Sequence, residues 1–73
     1  MKFYEVKREN GSIAYWYTQR NTQGIYFRIE RLDISKKFRL LINGEREGAT
    51  DHDTLAEAIT AAKKINEKME GVS

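Results

Sequence analysis

The run Asp51-His52-Asp53 holds the residue types best able to bind a metal or move a proton. Imidazole and carboxylates ligate zinc or manganese. Three adjacent residues rarely converge on one ion, however, and His52 is the sole histidine. As a general base it needs an orienting partner and a nucleophile, and no pattern supplies either. Glu5 and Glu30 as an acid–base pair need a cleft, which a small flat sheet does not provide. Gly24, Gly44 and Gly48 follow no phosphate-binding pattern. The chain has no cysteine, which removes disulfides and thiolate metal sites. The expectation is a non-enzyme with no catalytic residue, metal or cofactor, in which residues 51–53 lead into a helix cap.

The remaining chemistry is recognition. Arg and Lys reach phosphates and base edges, and Trp and Tyr offer flat apolar area with a polar tip. These types crowd into the first half of the chain. Residues 1–40 hold nine Lys/Arg against four acids, whereas residues 41–73 hold four against seven. The formal net charge of +2 therefore hides a basic, aromatic part and a mildly acidic, Ala-rich part. Such asymmetry can attract a polyanion.

Turn chemistry and periodicity place these side chains. At 73 residues, 40% hydrophobic and 33% charged, the chain fits one small globular domain, 1–73. No apolar run approaches the roughly 20 residues of a membrane span, so a cytoplasmic location is expected. Asn10-Gly11 suits a two-residue hairpin turn, which pairs Arg8 with Ile13, Val6 with Tyr15 and Tyr4 with Tyr17. Gly24 suits the left-handed position of a three-residue loop, which pairs Gln19 with Phe27 and Tyr17 with Ile29. A four-residue loop, 33–36, closed by Leu32 and Lys37, pairs Arg31 with Phe38, Ile29 with Leu40 and Phe27 with Ile42.

These registers predict an α+β fold: a four-stranded antiparallel β-meander over about 2–43, a polar loop over 44–53, and one helix over about 54–70. Thr54 is its N-cap, with Glu57 completing a capping box. Leu55, Ala58, Ile59, Ala62, Ile65 and Met69 recur at helical spacing, and Gly71 supplies the stop. The helix is expected to lie on the sheet face that carries Tyr4, Val6, Ile13, Tyr15, Tyr17, Ile25, Phe27, Ile29, Phe38, Leu40 and Ile42. The opposite face then shows Phe3, Trp16, Tyr26, Leu32 and Leu41 among Lys7, Arg20, Arg28, Lys37 and Arg39. A contiguous face of that composition marks an interface rather than scattered surface residues. The alternative is that Arg and Lys stems merely lie over the aromatics.

The segments Tyr15-Trp16-Tyr17, Tyr26-Phe27-Arg28-Ile29 and Asp53-Thr54-Leu55-Ala56-Glu57-Ala58, in that order, carry a resemblance. Arg- and aromatic-rich antiparallel strands followed by an Ala-rich helix resemble the DNA-binding domains of the AP2/ERF type. They are also similar to the amino-terminal arm-binding domains of tyrosine integrases. In those families the open sheet face docks in the major groove, which implicates Trp16, Arg20, Arg28 and Arg39 here. The chain departs from them in a fourth strand, a longer loop before the helix, and Glu30 on the face. The resemblance implies a stand-alone module such as a small phage or mobile-element protein.

Two functions follow. In the first, Arg28 and Arg39 reach bases or phosphates of double-stranded DNA, Lys7, Arg20 and Lys37 neutralise phosphates, and Trp16 with Tyr26 supplies apolar contact. In the second, the same face binds a protein partner or a second copy, as a phage-encoded inhibitor or adaptor would, through Trp16, Tyr26 and Leu41.

Overall fold

The computed structural model describes residues 1–71. Five strands precede one helix: β1 (Phe3–Lys7), β2 (Ile13–Thr18), β3 (Phe27–Arg31), β4 (Phe38–Ile42), β5 (Glu45–His52) and α1 (Leu55–Gly71). The strands form one antiparallel sheet in chain order, β1-β2-β3-β4-β5. The α+β class and the meander stand as expected, but the sheet has five strands, not four. The fifth occupies most of the expected loop over 44–53.

Its cause is local. Asn43 and Gly44 both take positive φ, 56° and 73°, and join Ile42 to Glu45 in a two-residue turn. Asn-Gly is the dipeptide best suited to that mirror-image turn. The polar composition of residues 45–52 masks a strand because this is an edge strand with mostly exposed side chains. Its pairing with β4 is interrupted between Leu40 and Ile42, which leaves Arg46, Glu47, Gly48 and Ala49 outside the ladder.

The Asn10-Gly11 turn differs from expectation. Arg8 N–H donates to Ser12 O (2.7 Å) and Gly11 N–H to Arg8 O (2.9 Å), which makes a three-residue loop of Glu9, Asn10 and Gly11. That moves the pairing by one residue. A bulge then moves it back, because Lys7 pairs with Ile13 while Val6 pairs with Tyr15, leaving Ala14 unpaired. Val6–Tyr15 and Tyr4–Tyr17 therefore stand as expected, whereas Arg8–Ile13 does not.

The decisive departure lies between β2 and β3. The three-residue loop closes as expected, with Asn21 N–H donating to Ile25 O (2.9 Å) and Gly24 at φ 78°. Beyond it, Tyr17 pairs with Arg28, Trp16 with Ile29 and Tyr15 with Glu30. Three residues separate Asn21 from Tyr17, but only two separate Ile25 from Arg28. Thr18, 4% exposed, absorbs the mismatch: its Oγ1 accepts from Phe27 N–H at 2.9 Å. One residue of slip turns every side chain to the other face. The pairs Gln19–Phe27 and Tyr17–Ile29 are thus replaced.

The core follows from that slip. Trp16, Phe27, Ile29, Leu40, Ala58 and Ala62 form one buried cluster. Trp16 is 7% exposed and packs against Phe38 with ring centroids 5.7 Å apart. Phe3, Ile13 and Ile42 extend the cluster across the sheet, and Leu55, Ile59, Ile65 and Met69 do so along α1. Burying an aromatic side chain removes roughly 150–250 Å² from water, worth about 4–6 kcal/mol at 25 cal/mol per Å². The opposite face would bury Tyr4, Tyr15 and Tyr17 instead, with three phenols each needing a partner. The slip lets one indole go in and keeps three hydroxyls near water.

The pairs between β3 and β4 stand as expected, as does the loop closed by Leu32 and Lys37. Thr54 caps α1, its Oγ1 accepting from Glu57 N–H at 3.1 Å. The fully buried Ala58 and Ala62 let α1 lie close on β3, β4 and β5. Gly71, expected as the stop, is itself helical, without the positive φ of a glycine cap, and is the last described residue. Among the described residues no helix is long and apolar enough to cross a membrane.

Candidate binding face

The face away from α1 carries two cross-strand rows. Tyr4, Tyr17, Arg28 and Leu41 form one; Val6, Tyr15, Glu30, Arg39 and Asp51 form the other. Each neighbour in a row sits directly opposite the last, at the spacing where side chains interact.

The phenol rings make a continuous band. Tyr4 and Tyr17 have centroids 5.5 Å apart, and Tyr15 and Tyr17 6.3 Å. A cation lies on each end of it: Lys2 Nζ is 5.3 Å from the Tyr4 centroid, and the Arg28 guanidinium carbon is 4.0 Å from that of Tyr15. Cations stack on the negative faces of aromatic rings in this way.

The two arginines of the face differ. Arg39 makes a forked contact with Asp51, Nε to Oδ1 at 2.9 Å and Nη2 to Oδ2 at 3.5 Å. That hydrogen bond holds the Asp51 carboxyl below its ordinary value, against the opposing effect of desolvation, with the charges of Arg39, Lys37 and His52 adding to the lowering. The same bond raises Arg39, and the charges of Asp51 and Glu30 reinforce it. Arg28 has a single contact with Glu30, Nη2 to Oε2 at 3.5 Å, and its buried Nε has no hydrogen-bond partner.

The expected site residues fall into three places. Arg28 and Arg39 are on the open face, as expected. Trp16 is not: it is corrected to the core, because the slip at Thr18 turns it to the α1 side of the sheet. Phe3 moves with it, while Tyr4, Val6, Tyr15 and Tyr17 move outward. Arg20 and Tyr26 sit at one end of the sheet, where Arg20 lies 5.1 Å over the Tyr26 ring and its Nη1 donates to Gly24 O at 2.7 Å. Lys7 and Lys37 sit at the other end, both exposed, with Lys37 Nζ 3.6 Å from Asp53 Oδ1. Leu41 is on the open face but only 3% exposed, so it offers little contact area.

Residues 51–53 do not converge. Asp51 goes to Arg39, Asp53 to Lys37, and the His52 Nε2 lies 2.8 Å from Thr50 Oγ1. Among the described residues no group of three or more His, Cys, Asp or Glu is placed to hold a metal ion. A cleft of about 240 Å³ opens at the sheet end beside Lys2, Arg20 and Glu70. Its polar walls are already engaged: Asn21 Nδ2 donates to Asn66 Oδ1 (2.9 Å), and Asn66 Nδ2 to Glu70 Oε2 (3.4 Å).

Compared with protein-family models, with curated proteins and with solved structures, the chain matches none.

Proposed function

We propose that the chain is a protein-binding module and that the tyrosine face of its sheet is the contact surface. One observation carries the reading: Tyr4, Tyr17 and Tyr15 form a band ending in the stacked guanidinium of Arg28. Tyr and Arg are the types that dominate contact energies between proteins, and Tyr supplies rigid area at low entropic cost.

Charge favours protein over DNA. The two arginines of the face are matched by Glu30 and Asp51, each already in contact with one of them. A duplex presents a phosphate every few ångströms and rewards unopposed cations. Two carboxylates among the contacts work against that. The loss of Trp16 to the core also removes the side chain that made base stacking attractive.

The test is affinity capture from a nuclease-treated extract of the cells that express the chain, run beside a Tyr15→Ser/Tyr17→Ser variant of matched thermal stability. The expected result is a protein retained by the parent at high salt and lost by the variant. In parallel, labelled duplex DNA is titrated at two salt levels. Binding that falls steeply with salt and disappears in Arg28→Ala returns the face to nucleic acid and overturns the reading.

A further inference from the structure

Resting on the protein-binding reading, we propose that Arg28 is the anchor for a carboxylate of the partner, from an Asp or Glu side chain that enters beside the tyrosine band. Arg39 is closed by a forked contact with Asp51 at 2.9 and 3.5 Å. Arg28 is open. Of its five N–H donors, only one meets an acid, at 3.5 Å, and Nε has no acceptor. Nε itself is shielded, so a partner approaches the guanidinium by its Nη1–Nη2 edge.

Geometry holds that fork in place before the partner arrives. The guanidinium lies over Tyr15 of β2, its carbon 4.0 Å from the ring centroid, and Arg28 itself is on the central strand β3. Its side chain keeps 33% of its surface exposed, so it is seated yet reachable. A planar fork on a rigid platform suits a carboxylate, which it can meet with two parallel hydrogen bonds. Lys2 at the far end of the band adds a second positive charge on the same side of the sheet. Counting Lys2, Arg28 and Arg39 against Glu30 and Asp51, the face is left with one positive charge in excess. That excess suits one or a few carboxylates rather than a polyphosphate chain. Glu30 is then an occupant to be displaced, because it holds Arg28 by one long contact.

The experiment uses the full chain, labelled with nitrogen-15, and an end-capped hexaglutamate peptide as the acidic probe. End-capped hexaglutamine and a short DNA duplex serve as comparisons. The Arg28 Nε–Hε signal and the backbone signals of Tyr15 and Tyr17 are expected to move saturably with hexaglutamate and to stay still with hexaglutamine. Arg28→Lys keeps the charge and loses the fork, so binding is expected to weaken about tenfold or more. Arg39→Lys is expected to change it less than about threefold, since that fork is already filled. Glu30→Gln is expected to tighten binding about two- to fivefold by removing the competitor.

A merely structural role for the Arg28–Glu30 contact predicts no gain from Glu30→Gln. The anchor is overturned by signals that move only at Arg20 or the helix lysines, by Arg28→Lys binding as tightly as the parent, or by a Glu30→Gln variant that binds no better. It is equally overturned if the duplex displaces the peptide from Arg28 at equal charge. If Arg28→Lys retains the captured protein while Tyr15→Ser/Tyr17→Ser loses it, only the anchor falls and the protein-binding reading survives.

Discussion

Trp16 and Arg28 sit on opposite faces of the sheet, and substitution separates them. Trp16→Ala deletes the largest side chain of the buried cluster. The expected cost is about 3–5 kcal/mol, a large share of the roughly 5–15 kcal/mol that keeps a domain folded. Urea titration followed by circular dichroism reads the loss, and Trp16→Phe is expected to recover most of it. A Trp16→Ala variant as stable as the parent would mean the indole faces water. Arg28→Ala on the open face is expected to leave the urea midpoint nearly unchanged.

Asp51 makes a different prediction. Its carboxyl is held below the ordinary range by Arg39, so its charged form is favoured in the folded chain. A depressed carboxyl adds stability above the unfolded pKa, about 3.9 for Asp, and loses it as pH falls through the folded value. The urea midpoint is therefore expected to drop on acidification below about pH 4. Asp51→Asn is expected to flatten that part of the profile without abolishing it. An unchanged acid limb would show that the Arg39 contact does not persist in solution.

Turns and bulges decide the behaviour of the elements. In the β4–β5 turn, a Cβ on Gly44 would lie 2.8 Å from the Tyr26 hydroxyl oxygen, at φ +73°. Gly48 has the similar φ of +79° but open space around it. Gly48→Ala is expected to cost about 1–2 kcal/mol for the left-handed backbone alone. Gly44→Ala should cost more, because the tyrosine ring must move as well, and thermal unfolding of the two variants ranks them. Thr54→Ala is expected to cost about 1 kcal/mol by removing the cap on Glu57 N–H.

What the chain reveals without coordinates follows the same division. Features set by two or three neighbouring residues are legible: the Thr54 cap, the 33–36 loop and its register, and the three-residue loop at Gly24. Asn43-Gly44 carried as plain a turn signal as Asn10-Gly11, but the polar run after it concealed the edge strand. The slip at Thr18 was not legible. It depends on whether Phe27 N–H meets a backbone carbonyl or a threonine hydroxyl, and on the balance of one buried indole against three buried phenols. The same alternation of aromatics in Tyr15-Trp16-Tyr17 fits either face. That single choice hid the tyrosine band, and the missing strand hid Asp51 beside Arg39.

At the scale of the whole molecule, burial is uneven. Phe27, Ile29 and Leu40 are almost completely enclosed and belong to β3 and β4, the strands that α1 crosses with β5. Hydrogen exchange is therefore expected to be slowest for paired amides of β3 and β4. It should be fastest within the sheet at Arg46, Glu47 and Gly48, which leave the β4–β5 ladder. Uniform protection across all five strands would contradict this ranking. The two edges of the sheet also differ. The β5 edge is broken by that interruption, while β1 pairs without a break from Phe3 to Val6 and leaves its outer side unpaired. Interrupted edges resist unwanted strand pairing, so β1 is the side from which aggregation would start.

The surplus residue between Tyr17 and Asn21 makes this stretch unusually tolerant of one loss of length. A variant lacking Gln19 would leave two residues between Tyr17 and Asn21, matching the two between Ile25 and Arg28, so a regular ladder would arrive at the same Tyr17–Arg28 pair and the β1–β2 hairpin would keep its present face. The indole would stay in and the phenols would stay out. A single lost codon would thus leave interior and exterior as they are along two strands and remove only the irregularity that the Thr18 hydroxyl now bridges.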